Sequence, residues 1–96
     1  MVEHVVLIKW KADVSEAEKQ HLLESLKALR DQIEGIQELR VGHNFSARSL
    51  GYDAGLVVTF ADVESLSSYG PHPLHQKVAV RLNQAADLLA LDFHPL

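Results

Sequence analysis

The stretch VEHVVLIKWK at residues 2–11 alternates His4, Val6, Ile8 and Trp10 against Val5, Leu7 and Lys9, with β-branched residues throughout. A period of two predicts a strand, and here it predicts a strand that is apolar on both faces. The LVVTF segment at residues 56–60 repeats the pattern, with Leu56, Val58 and Phe60 backed by Val57. Antiparallel sheets with one solvated face alternate apolar with polar residues. These strands do not, so the fold must cover both sides of its sheet.

The rest of the chain supplies helices for one side only. Ser15 precedes Glu18 at capping-box spacing, and Leu22, Leu26, Leu29 and Ile33 follow at helical intervals until Gly35, which predicts an amphipathic helix over 16–34 with the glycine as its C-cap. Leu39, Val41, His43 and Phe45 alternate as a second strand, and SARSLGYDAG has the small and polar residues of a loop. After the third strand, Asp62 caps a short helix to about Tyr69, a Gly-Pro-His-Pro break follows, and a longer helix occupies 74–87. Leu89, Leu91 and Phe93 mark a last strand.

The order β-α-β-β-α-β predicts an α+β, ferredoxin-like fold with an antiparallel four-stranded sheet, as one domain over 1–96. Helices of this number cover one sheet face. A homodimer burying sheet against sheet through Val5, Leu7 and Val57 covers the other, making the chain its own expected partner.

Charge and composition narrow the partners further. A net charge of −4 with no basic cluster argues against nucleic acid and against an anionic membrane surface. The absence of cysteine removes disulfides and thiolate zinc sites. No apolar run spans a bilayer, and the N-terminus lacks the unbroken apolar core of a signal peptide, so a cytoplasmic protein is expected. No glycine-rich phosphate loop, nucleotide fingerprint or Ser-His-Asp order is present, and no cofactor is expected.

The densest chemistry lies in SSYGPHPLHQ, residues 67–76. An imidazole of near-neutral pKa beside a phenol supplies a general base and a hydrogen-bond donor for a developing oxyanion. Tyr69 and His75 would not converge on an uninterrupted helix, and the turn at Gly70 to Pro73 permits it. His4 shares its strand face with Val6 and Ile8 and is placed to enter the same cavity, with Leu56 on the neighbouring strand. The same residue types also serve as helix caps or satisfied core groups. A metal site of His4, His72 and His75 is disfavoured by Pro73 and by the lack of a clustered carboxylate. His21, His43 and His94 are scattered and carry no assigned role, while Trp10 and Phe93 read as core or interface aromatics.

Taken together, EHVVLIKWK, the helix after VSEAE, VVTFADVESLSSY, HPLH and the terminal LLALDF resemble the stress-responsive A/B barrel (Dabb) domain family over nearly the whole chain. The resemblance implies a dimeric α+β barrel of two ferredoxin-like subunits packed sheet to sheet. The family includes a cofactor-free plant polyketide cyclase that closes a linear tetraketide by intramolecular aldol condensation. Carried over by motif, its catalytic tyrosine and histidine fall on Tyr69 and His75, its pocket histidine on His4, and the first histidine of its His-Pro motif on His72. Gly70 and Pro71 stand where that cyclase has larger aliphatic residues, and the first helix carries leucines in place of its aromatic pocket residues, which leaves the substrate open. Three classes of function follow: a cofactor-free cyclase, lyase or isomerase of a small keto compound; a small-molecule binding module with Val6, Ile8, Leu56 and His72 in its walls; or a structural, stress-related dimer.

Overall fold

The computed structural model describes residues 1–96. Its elements run β1 (Val2–Trp10), α1 (Glu16–Gln32), β2 (Ile36–His43), β3 (Ala54–Phe60), α2 (Val63–Tyr69), α3 (Pro73–Ala85) and β4 (Ala86–Phe93). The four strands form one sheet in the order β2-β3-β1-β4, and every neighbouring pair is antiparallel. This is the ferredoxin-like arrangement, with its second helical crossover split in two by the Gly-Pro-His-Pro break.

Local chemistry sets most boundaries. The Ser15 hydroxyl accepts from the Glu18 backbone N–H at 3.1 Å, the expected cap of α1. The helix stops at Gln32, with an extended Ile33 as its C-cap rather than Gly35. Gly35 instead takes φ +98° in the turn into β2, a conformation that favours glycine. Phe45, expected in the second strand, lies beyond it and is fully exposed. The Asn44 side chain ends the strand by accepting from the Ser46 N–H at 2.9 Å and donating to the Ser46 carbonyl at 2.9 Å. β3 starts two residues earlier than its apolar run, at Ala54, because β1 pairs with it as far as Ile8↔Ala54.

Both helical crossovers lie over one sheet face. Val2, Val6 and Ile8 of β1, Leu39 of β2, and Ala54, Leu56, Val58 and Phe60 of β3 pack there against Leu22, Leu23, Leu26 and Leu29 of α1 and Leu82 of α3. The packing is tight: Ile8, Val58 and Phe60 are 0% exposed and Leu29 is 1%. On the opposite face the register sets Val5 between Val57 and Leu91, and Leu7 beside Leu89. No helix covers these residues, and Leu89, Leu91 and Phe93 remain 50%, 61% and 43% exposed. No helix is long and apolar enough to cross a membrane.

Candidate functional site

Tyr69 is the last residue of α2, and the turn after it sends the chain back into α3. His72 caps that helix: its Nδ1 accepts from the Leu74 N–H at 3.1 Å, and Pro73 follows at the first helical position, where a missing N–H costs nothing. One turn into α3, His75 points back toward Tyr69, and the two ring centroids stand 4.2 Å apart. His4, from β1, meets the tyrosine edge-on at 5.9 Å, and Phe60 of β3 closes the group at 5.2 Å. The structure therefore brings Tyr69, His75 and His4 into one cluster, from three elements.

Hydrogen bonds fix the state of each imidazole. His75 Nδ1 lies 2.8 Å from the Gly70 carbonyl, which only accepts, so Nδ1 carries the proton and Nε2 keeps its lone pair. Gln76 Nε2 donates to the same carbonyl at 2.7 Å. His4 Nδ1 donates to Asp92 Oδ1 at 2.5 Å, again leaving Nε2 free. His72 is the reverse case: its Nδ1 is an acceptor, occupied by the backbone. Burial lowers the His75 pKa below 6.5, opposed by the Gly70 hydrogen bond and aided by the charges of His4 and His72. At neutral pH His75 is an uncharged base.

Tyr69 is the anomaly in the cluster. It is 2% exposed, and its hydroxyl is buried without a hydrogen-bond partner. Burial pushes its pKa up to about 12, so the phenol stays protonated and keeps its donor. A buried unpaired hydroxyl costs on the order of 1–3 kcal/mol of desolvation, and such exceptions in a folded protein call for an explanation.

Val6, Ile8 and Leu56 belong to the same hydrophobic cluster as Tyr69 and are buried. Two grooves lie elsewhere. One of about 730 Å³ runs over the open sheet face and the β2–β3 hairpin, past Leu7, Val57 and Phe45, and one of about 530 Å³ lies between α1 and α3. Of the other histidines, His43 Nε2 lies 3.3 Å from Gln20 Oε1 and His94 Nδ1 lies 3.2 Å from the Met1 carbonyl, while His21 is exposed on α1.

Sequence reasoning missed Asp92. Its partner His4 is 88 positions away, and only the antiparallel register His4↔Asp92 brings them together. A signal was present: Leu89, Leu91 and Phe93 on one face assign Asp92 to the other, the face that His4 shares.

Olivetolic acid cyclase of Cannabis sativa is 28% identical over 76 residues, covering 77% of this chain and 75% of the cyclase. A solved Arabidopsis thaliana structure superposes with a TM-score of 0.90 at 28% identity, over 100% of this chain and 96% of that one. A dimeric ferredoxin-like protein from Jannaschia sp. superposes with a TM-score of 0.85 at 25% identity, over 98% of both chains. The family model for the stress responsive A/B barrel domain matches residues 2–95, and the chain belongs to the stress responsive A/B barrel domain family.

Proposed function

We propose that this protein is a cytoplasmic homodimer that binds a small apolar or keto compound at Tyr69, His75 and His4 and acts on it, without a cofactor, as an aldol-type cyclase, a lyase or an isomerase. The observation that carries the reading is the buried, unpartnered Tyr69 hydroxyl beside an imidazole whose Nε2 is free. His75, neutral at pH 7, removes an α-proton, and Tyr69 donates to the oxygen on which charge collects. The Asp92 carboxylate orients His4 as a second imidazole at the edge of the site, and half-buried His75 forms the other edge. The likeness to a cyclase over 76 residues supports the reaction class.

Dimerisation follows from the open sheet face. Val5, Leu7, Val57, Leu89, Leu91 and Phe93 form a continuous apolar surface across β3, β1 and β4, and full burial of a side chain of this size is worth ~1.5–3 kcal/mol. The dimeric Jannaschia protein of the same fold supports a homodimer.

A second reading, a non-catalytic structural dimer, is favoured by one observation: Ile8, Val58 and Phe60 are 0% exposed, so the core behind Tyr69 is closed. Exchange of α-protons separates the two. A 3-oxo ester incubated with the protein in D₂O and followed by NMR should lose its α-proton signal faster than in buffer, with the excess rate abolished in His75→Gln. Equal rates for wild type, variant and buffer would sink the catalytic reading and leave the structural one.

A further inference from the structure

The groove between α1 and α3 has neither Tyr69 nor His75 among its lining residues. In a chain of net charge −4, none of its lining residues carries a carboxylate, while His21, Lys77 and Arg81 all face it. Arg81 is engaged by Glu18 of α1. Lys77 has no ion-pair partner. The remaining walls include Leu22, Leu29, Leu74 and Val78, of which Leu74 is 40% exposed.

These groups are ordered along the groove. β1 and β2 are each antiparallel to β3, and β3 and β4 are each antiparallel to β1, so the crossovers that join them run in opposite directions and α3 is antiparallel to α1. The Glu18–Arg81 contact fixes which ends meet. Arg81 and His21 therefore share one end, Leu74 and Leu29 lie toward the other, and Lys77 stands between them. From His21 to Gln32 the α1 wall extends roughly 16 Å at 1.5 Å per residue, room for an extended chain of about ten carbons with bonds of ~1.5 Å.

We infer that the α1–α3 groove is a binding site for a free medium-chain aliphatic carboxylate, its chain on Leu29, Leu74 and Val78 and its head group on Lys77. The apolar walls contribute area-dependent burial that is indifferent to the head group. Lys77 contributes a charge-assisted hydrogen bond that an alcohol of equal length cannot match. Neither contact involves the Tyr69 cluster, so the inference stands or falls independently of the proposed catalysis.

The test is a titration of the isotope-labelled, full-length protein with decanoate, followed by amide NMR below the concentration at which decanoate aggregates. Saturable shifts are expected in Ser25, Leu74, Lys77 and Val78, with binding weakened about tenfold or more in Lys77→Gln and for 1-decanol in place of decanoate. Leu74→Gln, at a partly exposed position, should weaken both ligands alike, and Tyr69→Phe should leave the decanoate titration unchanged. Shifts that do not saturate, shifts centred on the open sheet face or on Tyr69, or equal affinity of Lys77→Gln and wild type would each overturn the inference.

Discussion

Replacing Tyr69 with phenylalanine should make the protein more stable and less active. The ring keeps its contacts with Phe60 at 5.2 Å and His75 at 4.2 Å, so the packing of the cluster is preserved. What disappears is a hydroxyl with no partner, whose desolvation costs ~1–3 kcal/mol. Urea melts at a fixed protomer concentration should therefore show a gain of about 1 kcal/mol or more at unchanged m-value, equivalent to a rise of roughly 4–8 °C in Tm per kcal/mol for a domain of this size. The α-proton exchange rate should fall on the order of 10²-fold, the usual loss on deleting one oxyanion donor. Site chemistry kept at a cost in stability predicts both changes together. A loss of about 1 kcal/mol in Tyr69→Phe would refute the reasoning, since it would mean that the hydroxyl is paired in the folded protein.

Three further outcomes follow from the same geometry. Because burial lowers the His75 pKa, the exchange rate should fall as pH drops through a value below 6.5, and a pH–rate profile with its midpoint above 6.5 would contradict the assignment. The Tyr69 pKa is raised from 10.0 to about 12, so the unfolded chain loses this proton first: stability present below pH 10 should decline by up to ~2–3 kcal/mol as pH rises toward 12, and the decline should be smaller in Tyr69→Phe when both are followed by denaturant titration. Leu7→Asp places an unpaired charge in the centre of the open sheet face, so sedimentation should find the wild type at twice 10.7 kDa and the variant as monomer or unfolded; a wild-type monomer at micromolar concentration would remove the dimer from the account.

Much of the fold was legible because it is written in local periodicity. The two-faced pattern of β1, the Ser15 cap, and the alternation of Leu89, Leu91 and Phe93 each depend on residues within one element, and each appears in the structure as expected. Phe45 continues the alternation of Leu39, Val41 and His43 yet lies outside the strand, because Asn44 ends it through its own side chain. Glycine after a helix often caps it, but Gly35 takes its left-handed turn three residues after Gln32, the last residue of the helix. The meeting of Tyr69 with His75 could be argued from the turn between them. The hydrogen bonds that set the histidines' protonation could not. The Gly70 carbonyl that holds His75 Nδ1 depends on the exact path of the turn, the His72 ring turns into the backbone as a cap, and Asp92 reaches His4 only through a strand register fixed by the whole sheet.

The central claim is that the Tyr69 hydroxyl is unpaired because its partner is a ligand oxygen. A crystal structure with a nitrophenolate, a stable mimic of an enolate, tests this directly. The account predicts the phenolate oxygen within about 2.5–2.7 Å of Tyr69 Oη, as expected for an O–H donor to an anion, with the ring beside His75 and His4. A phenolate seated anywhere else, with the Tyr69 hydroxyl still unpartnered in the complex, would contradict it.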